Sequence, residues 1–314
     1  MKSILKHLSF SNIWIGLAAS LLCLSNLLSL RWLPNMEITQ LSIFGSKYLL
    51  LFVFFATIAA YTFIRLIGLR EKHPNASSEM IDYVRAHKTI LTIWAILCVL
   101  IAGYCFYKLF MVQMIIILFA GLLSALYAIP IYKYKNEWRS LRQIPYLKTI
   151  LVALVWSLMT VSCVLVYADM YPVIVRPQHV LLFVINFIFI WALTIPFDIR
   201  DIEYDKEVQV KTISHILGVD KTKWFSIGLL IVYLILSFMF YIYIPCDIKY
   251  QNFFRSFNLA VFTASLAGGL AAIFLIRSIT INSKESVFTI ELDGIIIAQS
   301  VFMIAIYSVY YFFK

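Results

Sequence analysis

Nine stretches of this sequence run without a single Lys, Arg, Asp or Glu: Leu8 to Leu30, Tyr48 to Ile64, Thr89 to Tyr107, Leu109 to Tyr132, Thr149 to Tyr167, Val180 to Phe197, Trp224 to Pro245, Phe257 to Ile276 and Gly294 to Phe313. An α-helix needs roughly 20 mainly apolar residues to cross the hydrocarbon core of a bilayer, and each stretch is about that long. The lack of charge is the stronger signal, because one charged side chain at mid-bilayer costs about 2.5 to 3.5 kcal/mol. Hydrophobic residues make up 62% of the chain and charged residues 13%, whereas a water-soluble domain carries about 25% charge. That leaves too little polar surface to cover a soluble core. It also excludes a disordered chain and a disulfide-stapled secreted module, and a transmembrane β-barrel would show short alternating segments instead of continuous runs. The sequence therefore predicts an all-α polytopic membrane protein with nine transmembrane helices, the third and fourth meeting in a tight hairpin at Lys108.

The basic residues predict an orientation. With the N-terminus in the cytoplasm, 19 of the 26 Lys and Arg residues fall in inside segments and seven outside, which favours N-terminus in and C-terminus out. The net charge of +10 is then mostly a topology signal; no soluble segment exists to carry a nucleic-acid interface. The first run begins with Lys2 and Lys6 as a signal peptide would, yet it continues without a small-residue cleavage site and reads as a retained span. Cys23, Cys98, Cys105 and Cys163 lie inside spans and Cys246 in a loop, with no metal-ligand spacing among them. His7, His73, His87, His179 and His215 sit at or near span ends and read as loop residues. No linker or short repeat divides the chain, so residues 1–314 read as one helical membrane domain.

Three polar loops, Arg65 to Lys88, Lys133 to Lys148 and Asp198 to Lys223, fall on the same side, so what they carry can converge on one site. The third holds six of the sixteen acids: Asp198, Asp201, Glu203, Asp205, Glu207 and Asp220. If the sixth helix continues past Phe197, Asp198, Asp201 and Asp205 fall at i, i+3 and i+7 on one stripe, with Glu203 pointing away. Three like charges on one face repel unless a cation neutralises them. A hard divalent ion with oxygen ligands suits the role, and magnesium prefers one or two carboxylates, waters and a substrate phosphate. The alternative is a wetted helix end whose acids pair with Arg200, Lys206 and Lys211, with Pro196 a simple kink.

At these residues the sequence resembles the UbiA superfamily of intramembrane prenyltransferases. Asp198-Ile199-Arg200-Asp201-Ile202-Glu203-Tyr204-Asp205, followed by Lys211-Thr212 and Leu217-Gly218, is similar to the family's second aspartate-rich motif. Leu126-Tyr127-Ala128-Ile129-Pro130, then Leu141-Arg142 to Lys148 and Trp156, is similar to the loop after the family's fourth span, and Glu291-Leu292-Asp293-Gly294 to the start of its ninth. The resemblance covers nearly the whole chain and implies a UbiA-like bundle. It also implies a reaction: a polyprenyl diphosphate bound through magnesium loses its diphosphate, and the allylic carbocation alkylates an aromatic or other lipid-soluble acceptor. Magnesium as a Lewis acid and a water-free aromatic cavity suit that chemistry. Carried over residue by residue, the resemblance makes Asp198, Asp201 and Asp205 the expected metal ligands, with Asp201 and Asp205 at the centre of the chemistry. Arg200, Lys211, Arg142 and Arg70 are the expected diphosphate contacts. The partners are then the polyprenyl diphosphate, the acceptor and membrane lipids, with a bacterial inner membrane as the expected location.

The first aspartate-rich motif departs from the family. On its Asn-xxx-Asp-xxx-Asp pattern the end of the second span places Thr62, Leu66 and Arg70, so both carboxylates are gone. A shifted placement uses Asn75, Glu79 and Asp82. Two consequences compete: Arg65, Arg70 or Lys72 grips the diphosphate directly, or the chain is a catalytically degenerate isoprenoid-binding or scaffold protein. Lys133, Arg139, Arg142 and Lys148 are either phosphate contacts or topology charges. Asp293 is a candidate because acids at membrane depth face a cavity or a partner. A transporter using the acidic loop as a cation site would place its acids within the spans or break them at paired Gly and Pro sites, and the sequence does neither.

Overall fold

The structure, a computed structural model, describes residues 2–31, 43–71, 79–134, 137–141, 144, 146–168, 177–202, 212–243 and 251–312. Among them nine helices are long and apolar enough to cross a membrane: Ile13–Leu30, Ser46–Leu69, Lys88–Tyr107, Met111–Ala128, Leu147–Val166, Pro177–Arg200, Val219–Ile242, Phe257–Ser278 and Val287–Val309. They are numbered here as spans one to nine. The fold is all-α and polytopic, as the sequence predicts; a three-residue antiparallel hairpin, Tyr132–Tyr134 with Glu137–Arg139, decorates the loop after the fourth span. Lys108 does turn the third span into the fourth.

Two boundaries differ from the sequence reading. The first apolar run is not one helix: Lys2–Phe10 forms its own helix and the span begins at Ile13. Asn12 makes the break with φ of 64°, a left-handed conformation that Asn tolerates better than most residues. The ninth span starts a full two turns earlier than the uncharged run, at Val287, so Asp293 lies inside a helix and is buried.

Consecutive spans two and three, and four through nine, pack as neighbours, and the ninth returns against the first, which also packs on the second and on the middle of the fifth. The first span reads the irregular turns of its neighbours. Residues Leu158–Ser162 and Val287–Leu292 are π-helical, a geometry that shifts carbonyls off the regular hydrogen-bond ladder. Asn26 Nδ2 donates to the Thr160 carbonyl at 3.2 Å. Trp14 Nε1 donates to the Ile290 carbonyl at 3.1 Å and Ser9 Oγ to that of Thr289 at 3.2 Å. In hydrocarbon such carbonyls have no water to turn to, so the bonds from Asn26 and Trp14 tie the first span to the fifth and ninth, and that from Ser9 ties the preceding helix to the ninth.

Small residues set the other close contact. A Cβ at Gly16 would lie 2.9 Å from Ile58 Cγ1 and 3.1 Å from the Phe54 carbonyl oxygen. One turn on, Ser20 Oγ donates to the Leu50 carbonyl at 3.2 Å. Gly16 and Ser20 thus let the first and second helices approach as small-xxx-small pairs do in membranes. Gly16→Val is expected to destabilise the bundle by about 1 to 3 kcal/mol through overpacking, read as a lowered thermal midpoint in detergent, whereas Gly68→Ala, which meets nothing within 4 Å, leaves the midpoint unchanged.

Candidate functional site

Span six carries Asp198 in its last turn, and the following turn carries Asp201, whose N–H donates to the Phe197 carbonyl at 3.0 Å. The three-residue spacing puts both carboxylates on one side, facing the first turn of span five. There Lys148 places its Nζ 3.2 Å from Asp198 Oδ1 and 3.0 Å from Asp201 Oδ2. The Asp201 contact is a hydrogen bond; the Asp198 contact is an ion pair without that alignment. Arg200 forks onto Asp201, with Nε 2.9 Å from Oδ1 and Nη2 3.4 Å from Oδ2. These are not solvated surface pairs, since the Asp198 side chain is 2% exposed and that of Lys148 17%.

The rest of the second motif explains why the pair stays in place. Thr212 precedes the short helix Ile213–Leu217, and Ser214 Oγ reaches back to donate to the Asp198 carbonyl at 2.7 Å. Gly218 then adopts φ of 77°, which an L side chain resists, and turns the chain into span seven while its N–H bonds the Ser214 carbonyl at 3.0 Å.

Three more groups complete the cluster. Arg200 lies over the rings of Phe197 and Phe288, 5.0 and 5.9 Å from their centroids. Arg65, half-buried on span two, donates to the carbonyls of Ser9 and Phe10 at 3.3 and 3.0 Å, so it caps the helix Lys2–Phe10. Asp293 is buried on span nine about a turn beyond Phe288 and Thr289, which Arg200 and, through Ser9, Arg65 reach, so its carboxylate lies in the field of both guanidinium groups. Nearby, Trp156 Nε1 donates to Tyr61 Oη at 3.2 Å. Three cations and three carboxylates from spans two, five, six and nine, flanked by aromatic rings, therefore meet at one end of the bundle.

Of the residues expected from the sequence, Asp198, Asp201 and Arg200 come together. Asp205, Lys211 and Arg142 lie outside the described residues, as does the side chain of Arg70. Glu79 and Asp82 are engaged elsewhere, at exposed positions, with Lys6 at 3.1 Å and Arg85 at 3.5 Å. Thr62, at the family's Asn position, accepts a hydrogen bond from Asn12 Nδ2 at 2.9 Å. Lys148 is the residue that sequence reasoning undervalued: one of five basic residues in its loop, it was distinguishable only by lying at the very start of an apolar run, where a buried cation needs a partner.

As built from described residues, the cluster does not fit a magnesium ion held between two acidic groups. Lys148 already bridges Asp198 and Asp201, Arg200 holds both oxygens of Asp201, and among the described side chains the second span offers no carboxylate opposite them and no three His, Cys, Asp or Glu gather to hold a metal.

A second polar layer lies about twelve residues up span six, roughly 18 Å away at 1.5 Å per residue. Asn26 and Asn186 exchange amide hydrogen bonds of 3.0 and 3.2 Å, and Ser29 links the Tyr241 and Tyr307 hydroxyls at 3.2 and 3.0 Å. Asn26, Asn186 and Tyr241 border a cavity of about 20 Å³, also lined by Tyr233, Ser265 and Gln299, which is room for about one water.

No protein-family model matches the sequence, and no curated protein does. Solved structures do match in fold. A UbiA homolog from Archaeoglobus fulgidus bound to GPP and Mg2+ superimposes with a TM-score of 0.63 at 14% identity, over 96% of this chain and 99% of that one. The same protein bound to Cd2+ gives 0.59 at 15% identity, over 96% and 99%. A digeranylgeranylglyceryl phosphate synthase gives 0.54 at 16% identity, over 98% and 100%. The chain is an integral membrane protein with the UbiA-type fold.

Burial alone would raise the Asp201 carboxyl's pKa; Arg200 and then Lys148 overcome it and hold the group well below the usual carboxylate range. A depressed folded-state pKa contributes stability that is fully present above the unfolded value of about 3.9 and is lost progressively as pH falls from there toward the folded value. The stability gap between the wild type and Asp201→Asn is therefore expected to stay constant from about pH 8 to 5 and to narrow only below about pH 4, as thermal unfolding will show. Lys148→Ala strands the buried Asp198 and is expected to cost about 3 to 5 kcal/mol. Adding Asp198→Asn to the same chain recovers part of that loss, which a double-mutant cycle measures.

Proposed function

We propose that the chain is a prenyltransferase of the UbiA superfamily that moves a polyprenyl group from its diphosphate to a lipid-soluble acceptor within the membrane. The observation that carries this reading is the convergence of Lys148, Arg200 and Arg65 with Asp198, Asp201 and Asp293 at one end of a UbiA-type bundle. A diphosphate is a poor leaving group until cations neutralise it, and this cluster supplies cations where the bundle excludes water. The C1–O bond of the donor breaks, its electron pair leaves with the diphosphate, and the allylic cation is caught by a nucleophilic atom of the acceptor, which then sheds a proton. The ring faces of Tyr61, Trp156, Phe197 and Phe288 suit a transient carbocation.

In this reading Arg200, with Arg70, Arg142 and Lys211, holds the phosphates. The resemblance makes Asp198, Asp201 and Asp205 the magnesium ligands, but Lys148 and Arg200 already hold Asp198 and Asp201, so in this reading neutralisation of the leaving group rests on the cations. The basic loops then face the cytoplasm and the C-terminus lies outside, as in a bacterial inner membrane, and residues 1–314 act as one domain.

The alternative, an isoprenoid-binding or scaffold protein, draws on Leu66 and Arg70 standing where carboxylates are expected. Membranes containing the chain are incubated with labelled polyprenyl diphosphates. Release of pyrophosphate together with label in a new lipid is expected, and Asp201→Ala should lower it by at least about a hundredfold; label that is bound but never transferred would leave the scaffold.

A further inference from the structure

Lys148 and Asp198 each sit at the wrong end of a helix. A cation in a first turn and a carboxylate in a last turn both oppose the helix dipole, and here both are shielded from water. Neither residue helps its own helix; among the described contacts, Lys148 is held to both carboxylates, and the Ile213 backbone also bonds the Asp198 carboxylate. One ammonium lies 3.2 and 3.0 Å from oxygens of two different carboxylates, which is the bridging a divalent ion would perform on the same atoms. Arg200 takes both oxygens of Asp201 as well. Fixed positive charge also outweighs negative in the sequence leading into these elements: residues 133–148 hold five Lys and Arg against the single acid Glu137, and the end of span two carries Arg65. A diphosphate brings roughly three negative charges, which these side chains can match where a site of carboxylates alone would need metal ions.

We infer that Lys148 is a built-in cation standing where a divalent ion would bridge Asp198 and Asp201, so that the site binds the diphosphate of a prenyl donor without divalent metal, through Lys148, Arg200 and Arg65. This rests on the prenyl diphosphate reading given above. Magnesium prefers one or two carboxylates with waters completing its octahedron, and the ammonium and guanidinium already hold those oxygens.

The test titrates the purified full-length protein with geranyl diphosphate by calorimetry, once in EDTA and once in millimolar magnesium. Wild type is expected to bind equally in both. Lys148→Met frees the two carboxylates: in EDTA its affinity falls on the order of a hundredfold, and magnesium restores it, while Lys148→Arg keeps the EDTA-resistant binding. A residue that merely supported the fold would not convert a metal-independent site into a metal-dependent one. Should Lys148→Met fail to fold, the pair Lys148→Met with Asp198→Asn leaves no stranded buried charge; its EDTA binding is expected to fall likewise, and unchanged binding there overturns the inference. Wild type that binds only with magnesium overturns the inference and leaves the prenyl diphosphate reading standing, whereas wild type that binds under neither condition defeats the reading itself. A folded Lys148→Met chain that binds in EDTA as wild type does also overturns the role given to Lys148.

Discussion

Inside a bilayer no polar group can defer to water, and that constraint organises this protein from one end to the other. The two π-helical turns shift carbonyls off the helical ladder in spans five and nine, and Asn26, Trp14 and Ser9 collect three of them. Arg65 does the same for the end of the helix Lys2–Phe10. The first span is therefore more than a membrane anchor. It is the element against which the irregular parts of its neighbours are made good, and Asn12, in its left-handed conformation, sets the angle at which it enters.

The same rule governs the charged cluster. A carboxylate as buried as Asp198 persists only with a partner, and Lys148, from a helix some fifty residues earlier, supplies a cation at 3.2 Å. Most charges in the group are answered by another from a different span: Asp198 and Asp201 by Lys148, Asp293 by Arg65 and Arg200, while Arg200 also forks onto its neighbour Asp201. The cluster is nearly neutral by itself, and it is held in register by Ser214 and by the glycine turn at Gly218, not by solvent. Such a site differs from two facing rows of acids awaiting metal ions, although the bundle around it matches proteins solved with Mg2+ and Cd2+.

Much of this was legible in the residues. Nine uncharged runs give nine helices, because the cost of burying charge is local and additive along the chain. The acidic stretch after the sixth span marks the site for the same reason: acids spaced at helical periods beside hydrocarbon are costly to keep. Less legible was the break at Ser11 and Asn12, where the run stays uncharged and the polar residues Ser9, Ser11 and Asn12 do not by themselves tell a helix break from a polar turn of a continuous helix. The early start of span nine was hidden too, since Glu291 and Asp293 end the uncharged run while the helix continues through them.

The sequence alone determined the solvent and the number of crossings, since each follows from transfer energies of single side chains, and it marked the acids at the end of span six as the ones needing a partner. Only the tertiary structure decided which cation meets them. Lys133, Arg139, Arg142 and Lys148 look alike as sequence, because partner choice is a matter of distances of a few ångströms between separate helices, and it is the packing of span five on span six that brings Lys148 between Asp198 and Asp201.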